Sequence, residues 1–334
     1  MYWSAHDYDC SAKIIFLGDT LYYRIPGRDK KRLNGRFTEI EDFSTASGFV
    51  LSSFDKTKLY SFNQDDLSSE LHNYKTVLDC SSKESYVKSA NWFLSELQAR
   101  NLAKAVLSRI KDVPFDYNPI SLYEKLCKVY PDAFVYLISS PLFGTWIGAT
   151  PEVLLEVAGT DAKTMALAGT LRTNDSTEWN EKEKNEQNFV SSFIKSQLSK
   201  SGIKKVQECP RENLVAGPVT HLKTEFTFDL ADCSVGNIAL ALHPTPAVCG
   251  LPQDNALDLI YEAEEHNRSL YAGFIGVIGE DTSSLYVNLR CAHITTDKAY
   301  LFLGGGFTKD SDVESEWQET ENKAKTLLNV IENL

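Results

Sequence analysis

The chain has 334 residues, 43% of them hydrophobic, with 34 Lys+Arg against 46 Asp+Glu and a formal net charge of −12 at pH 7. That balance excludes a nucleic-acid partner, which needs a basic footprint to neutralise phosphates, and it opposes any anionic ligand not met by local cations or a metal. No apolar run approaches the roughly 20 residues that span a bilayer, and the N-terminus carries Asp7 and Asp9 where a secretory leader would be basic and then apolar. A cytoplasmic protein without a membrane partner is expected. The length exceeds the roughly 250 to 300 residues at which single cores tend to divide, yet no Ser/Gly/Pro-rich linker or long charge block separates halves, so one domain over 1–334 is expected. Seven cysteines with no CxxC pair suit reduced, packed thiols and argue against a structural zinc or a disulfide framework.

In chain order, the first 95 residues alternate apolar runs, at Lys13 to Leu17, Thr20 to Ile25 and Gly48 to Ser53, with polar turns, which predicts strands of an antiparallel sheet. From Ser82 to Arg100, Tyr86, Val87, Ala90, Phe93, Leu94 and Leu97 recur at helical spacing; Ala103 to Ile110 is a compact β-like run. A helix over Pro119 to Tyr130 leads into short strands at Phe134 to Ser139, Gly144 to Ile147, Val153 to Val157 and Thr164 to Thr170. A long helix from Trp179 to Lys200 follows, then further strands and helices at Asn237 to Leu242 and Asn255 to His266. Three strands between Ser269 and Phe307 and a closing helix over Val313 to Leu334 complete the order. Runs of strands with helices inserted between them predict an α+β fold with large antiparallel sheets.

Two of these helices carry acidic pairs at three-residue spacing, Glu183 with Glu186 and Glu316 with Glu319, so each pair shares one helix face. Four such carboxylates on facing helices suit a hard cation such as Mg²⁺; they equally suit first helical turns, where acids complement the dipole. Lys104 sits among apolar neighbours, where it either snorkels from an edge strand or is buried, which would favour the neutral amine, a base near neutral pH. Glu152 follows Pro151 and leads into an apolar strand, a setting that keeps a carboxyl protonated as an acid. Arg290 lies within a strand pattern, where a guanidinium needs a partner such as a bidentate carboxylate. The run Gly304-Gly305-Gly306 is either a turn or a place where successive N–H groups converge on an anion. Tyr271 offers a phenolic donor or a core ring. From Leu242 to Pro252, Pro244, Pro246 and Pro252 fix φ and hold His243, Thr245 and Ala247 in one presentation, as a pocket wall or a rigid connection.

That last stretch contains His-Pro-Thr-Pro-Ala, and it resembles the HPTPA segment of the chorismate-utilising enzymes, the family of isochorismate, salicylate, anthranilate and aminodeoxychorismate synthases, looking most like the isochorismate synthases. Lys182 to Val190 is similar to the family's K-x-x-x-E-H-x-x-V segment, with Gln187 where His is common, and Glu316 to Lys323 is similar to its E-x-x-E-T-x-x-K segment. Ala166-Leu-Ala-Gly-Thr170 looks like its ALAGT strand. The resemblance covers about residues 95 to 334.

It implies a sandwich of two large, mainly antiparallel sheets with helices outside. It implies Glu186 and Glu319 as Mg²⁺ ligands, Glu183 and Glu316 as holders of the water shell, Lys104 as general base and Glu152 as general acid. Arg290 and Tyr271 would clamp the enolpyruvyl carboxylate; Lys323 and the amides of Gly304, Gly305 and Gly306 would hold the ring carboxylate. Leu167, Gly169, Thr170, His221 and Ala247 would line the substrate, whereas the histidines at 6, 72, 266 and 293 match nothing in the family. The implied activity is an Mg²⁺-dependent isochorismate synthase acting on chorismate, for menaquinone or siderophore biosynthesis, with a salicylate synthase or a non-catalytic chorismate-binding protein as alternatives. Anthranilate synthases, which use ammonia, commonly differ at the Lys104 position, so no glutamine amidotransferase subunit is expected and the chain should act as a monomer.

Overall fold

The computed structural model describes residues 18–65, 71, 77–172, 179, 181–216 and 219–334, with the backbone alone at 168–172, 182, 215, 216, 219 and 221. Extended segments β1 (Asp19–Arg24), β2 (Lys31–Glu39), β3 (Gly48–Ser52) and β4 (Leu59–Gln64) precede helix α1 (Lys83–Ala99), which starts where Ser82 accepts the Ser85 N–H. β5 (Lys104–Pro114) leads to α2 (Pro119–Val129), capped by Asn118 with proline at its first position. A meander of β6 (Phe134–Ser140), β7 (Gly144–Thr150), β8 (Val153–Ala158) and β9 (Asp161–Arg172) enters α3 (Glu181–Lys200). Then come β10 (Val206–Glu208), β11 (Glu212–Ala216), β12 (Val219–Asp229), α4 (Val235–Leu242), β13 (Gly250–Leu251) and α5 (Gln253–Ala263). The chain closes with β14 (Phe274–Ile278), β15 (Thr282–Val287), β16 (Cys291–Ile294), β17 (Lys298–Phe307) and α6 (Val313–Ile331), whose cap is Asp312.

Antiparallel pairings join these strands into one ladder, β13-β5-β17-β16-β7-β6-β1-β2-β4-β3-β14-β15-β8-β9-β12, with β10 and β11 both along the outer edge of β12. The ladder doubles back at β2, β4 and β3. Phe134 of β6 therefore stacks on Tyr286 of β15 at 4.6 Å, Tyr23 of β1 meets Phe49 of β3 at 5.2 Å, and the Tyr136 hydroxyl donates to Asn288 Oδ1 at 2.6 Å. The expected sandwich is thus one continuous sheet folded on a shared core. A second core lies outside it, where Leu122 and Leu126 of α2 and Leu327 and Val330 of α6 cover Val135, Leu137 and Ile147.

Three expectations change. Four strands, not three, lie between Ser269 and Phe307, because the chain turns at Asn288, whose amide is spent on the Leu270 carbonyl and the Tyr136 hydroxyl. α5 ends at Ala263 instead of reaching His266, since Glu264 is already extended. The polar run Lys31–Glu39, not marked as a strand, is β2, one face of it exposed. The expected strand at Lys13 to Leu17 lies outside the described residues.

Candidate active site

A cleft of about 200 Å³ lies where the first turns of α3 and of α6 face β5, β9 and β17. Glu183 and Glu186 from α3 and Glu316, Glu319 and Lys323 from α6 all line it, so the helical spacing brings both acidic pairs to one place. Two anchors hold the helices there. Gln187 Nε2, fully buried, donates to the Ala166 carbonyl at 2.9 Å and Thr224 Oγ1 at 3.0 Å, fixing α3 on β9 and β12. Arg109 of β5 donates to Thr320 Oγ1 at 2.8 Å, pairs with Glu321 and lies 3.9 Å from the Trp317 ring, fixing α6.

Lys104 opens β5 and is only 4% exposed; its Nζ stands 3.3 Å from Glu186 Oε2. Glu152, between β7 and β8, is buried, and that burial pushes its carboxyl from an ordinary 4.5 up to about 7, although Arg290, Lys104 and Lys323 pull the other way. Tyr271 is buried, its ring stacked 5.5 Å from Phe302 and its phenol pushed up by burial. Lys323 donates to the Gly304 carbonyl at 2.8 Å and meets Glu319 at 2.6 Å. Leu167 and Ala247 also line the cleft.

Arg290 is not within a strand, as its sequence pattern predicts. It occupies a left-handed position, φ 50°, between β15 and β16, half-buried, with burial lowering its pKa against the attraction of Glu319 and Glu152. This turn carries its guanidinium to the cleft. Nor do the three glycines form a convergent set of amides: they belong to β17, opposite Val106, Leu107 and Ser108, and successive N–H groups of a strand point to opposite sides. Their smallness has another cause. A methyl group on Gly304 would lie 2.6 Å from the Tyr271 hydroxyl, on Gly305 3.1 Å from Glu316 Oε2, and on Gly306 2.9 Å from Lys104 Cε. Only Gly304 and Gly306 line the cleft among the three.

In the backbone register His221 of β12 lies opposite Thr170 and Leu222 opposite Ala168, which leaves Gly169 as the extra residue of a β-bulge; the side chains of Thr170 and His221 lie outside the described residues. His243 turns away from the cleft, its Nε2 2.9 Å from the Phe54 carbonyl, and burial pushes it down to about 3. His266 and His293 border a separate cleft, and His6 and His72 lie outside the described residues. Sequence reasoning missed Arg268 and Glu264. Arg268 donates to Val248 O at 2.8 Å and Val106 O at 2.7 Å, while Glu264 accepts from Arg268 at 2.5 Å and from the Ser108 N–H at 2.6 Å. Val106 and Val248 line the cleft, so this buried pair ties two of its walls together. The available signal was a Glu and an Arg four residues apart just past a helix end.

The donor set suits a hard divalent cation in its chemistry, four carboxylates on one cleft. Its oxygens are not gathered: among the described residues no three Asp, Glu, His or Cys side chains stand close enough to share an ion, and Glu186 and Glu319 hold lysines. No helix among the described residues is long and apolar enough to cross a membrane.

Sheet, helices and cleft define an architecture in which a folded antiparallel sheet and two acid-faced helices border one cleft. The chain belongs to the chorismate-binding enzyme family, whose pattern matches residues 33–332. Over 244 residues it is 32% identical to an isochorismate synthase of Escherichia coli, covering 68% of this chain and 62% of that protein. Over 241 residues it is 32% identical to the salicylate biosynthesis isochorismate synthase of Pseudomonas aeruginosa, covering 68% of this chain and 50% of that one. The chain thus spans about half to three fifths of the length of these relatives. Its fold is that of the menaquinone-specific isochorismate synthase of Escherichia coli, with a TM-score of 0.79 at 21% identity over 94% of this chain and 89% of the other.

Proposed function

We propose that the chain is an isochorismate synthase: it adds water at C2 of chorismate and expels the C4 hydroxyl. The observation that supports this reading is a single cleft bordered by an amine, Lys104, and a carboxyl, Glu152, that burial pushes up to about 7, so that it still carries a proton in a substantial fraction of molecules near neutrality. Water gives a proton to Lys104 as its oxygen bonds to C2. The double bonds shift, the C4–O bond breaks, and Glu152 delivers its proton to the departing hydroxyl, so one water enters and one leaves. In that role the Lys104 amine would have to turn from the Glu186 carboxylate, 3.3 Å away, toward the attacking water. Arg290 and Tyr271 would hold one carboxylate of the substrate and Lys323 the other. In this reading Glu186 and Glu319, with Glu183 and Glu316 beside them, hold Mg²⁺, which would draw charge from the ring carboxylate.

Incubation of the purified chain with chorismate and Mg²⁺, followed by chromatography, tests the assignment. Isochorismate is the expected product; salicylate with pyruvate would move the chain to the lyase branch, an amino product on adding ammonium to the amino-transferring branch, and unchanged chorismate to a binding protein.

A further inference from the structure

β5 has a strand on each side only at its start. On one side it pairs with β17 from Ala105 to Pro114; on the other, β13 covers Lys104 and Ala105 alone. Beyond that point the Val106 N–H still reaches the Cys249 carbonyl, at 2.8 Å, but the Val106 carbonyl and the Ser108 N–H face no strand among the described residues. A side-chain pair takes the place of one. Arg268 Nη2 donates to Val106 O at 2.7 Å and Glu264 Oε1 accepts the Ser108 N–H at 2.6 Å, a donor and an acceptor where a neighbouring strand would present its own.

Arg268 also reaches the opposite wall of the cleft. Its Nη1 donates to Val248 O at 2.8 Å, its Nε and Nη2 meet the two Glu264 oxygens at 2.8 and 2.5 Å, and its guanidinium lies 4.2 Å from the centre of the Phe54 ring. Both side chains are almost fully buried. An ion pair so placed adds little stability over apolar side chains of its volume; what it supplies is geometry, because one planar guanidinium fixes Val106 O and Val248 O at a set separation. The start of the proline-rich loop has other holds, with Lys56 Nζ donating to His243 O at 3.1 Å and Gln253 Nε2 to Pro244 O at 2.8 Å. Its far end is joined to β5 by Arg268, the Val106 N–H and the short β13 pairing.

Lys104 and Val106 border the cleft on one side of this joint, Ala247 and Val248 on the other. We propose that Arg268, held by Glu264, is a positioning residue: it closes the open edge of β5 and sets where Lys104 stands against the Ala247–Val248 wall. Its effect on turnover rests on the isochorismate synthase reading; the joint itself does not.

Amide hydrogen exchange of the full chain, read by NMR, tests the joint without a variant. The Leu107 N–H points toward β17, whereas those of Val106 and Ser108 point away from it. Ser108 is expected to exchange within about tenfold of Leu107; faster exchange than that, as an unpaired edge amide shows, overturns the proposal. Arg268→Lys keeps a charge beside Glu264 but cannot span two carbonyls. It should speed exchange at Val106 and Ser108 at least about tenfold with Leu107 unchanged, and lower kcat for isochorismate formation about 10–100-fold with KM within about threefold, since a displaced base slows the chemical step more than it weakens binding. All three amides speeding up together, or a kcat lowered less than about tenfold in a chain whose unmodified form is active, would show a residue that only stabilises the fold and would overturn the proposal. An unmodified chain that forms no isochorismate overturns the reaction instead, and the exchange pattern alone then decides on the joint.

Discussion

In its proposed role as an acid, Glu152 works against the stability of the fold. An unfolded glutamate ionises near 4.5, whereas the buried one holds its proton up to about 7. Its contribution is therefore fully present below 4.5 and is lost as pH rises through about 7, a difference of about 3 kcal/mol at 1.36 kcal/mol per unit. Glu152→Gln, which stays neutral at every pH, should exceed the unmodified chain by about 2–3 kcal/mol in urea unfolding at about pH 8 and match it at about pH 4. The same variant should lose about 10²–10⁴-fold in kcat with chorismate. In the unmodified chain kcat/KM should fall as pH rises through about 7, the limb that reports an acid of the free enzyme. A profile flat across that range would show that Glu152 only binds. Lys104→Ala should reduce kcat by a similar factor while changing KM little, because a base acts on the chemical step; unimpaired turnover would end its assignment.

At the level of elements, the site depends on how firmly α3 and α6 are seated. Gln187→Ala would leave the Ala166 carbonyl and the Thr224 hydroxyl without their buried donor, at a cost of about 2–3 kcal/mol for two hydrogen bonds. Urea midpoints measure that cost, and a loss under about 0.5 kcal/mol, the size expected for a surface change, would mean that α3 is held by apolar packing alone. These two helices were the most legible part of the chain, since the 3.6-residue period alone places Glu183 with Glu186 and Glu316 with Glu319 on common faces. What escaped the sequence depends on distant partners. Arg290 reads as a strand residue until Asn288 is seen to be taken by Leu270 and Tyr136, and the glycine run reads as an anion loop until Tyr271, Glu316 and Lys104 are found pressed against it. Arg268 reaches Val106, 162 positions away, a contact no local pattern announces. The strands β1 to β4, which carry no motif, turn out to be where the ladder folds back.

For the molecule as a whole, charge sets the terms on which the proposed dianionic substrate would arrive. The chain carries −12, and its cleft sets five carboxylates, Glu152, Glu183, Glu186, Glu316 and Glu319, against the cations of Lys104, Arg290 and Lys323. Even with Glu152 protonated the cleft is at best near neutral, and Lys104 and Lys323 are engaged by Glu186 and Glu319. A divalent cation on the glutamates would reverse the local sign, so chorismate and Mg²⁺ should each strengthen the binding of the other by the same factor, as thermodynamic linkage requires. Calorimetric titration of chorismate into EDTA-treated protein, with and without Mg²⁺, measures that factor; at least about tenfold tighter binding with Mg²⁺ is expected, within the usual 1–3 kcal/mol of coupling. Glu319→Gln should shrink the factor while leaving weak, Mg²⁺-independent binding in place. Equal affinity in the presence and absence of Mg²⁺ would show that the acidic pairs of α3 and α6 are helix-end charges that take no part in receiving the substrate.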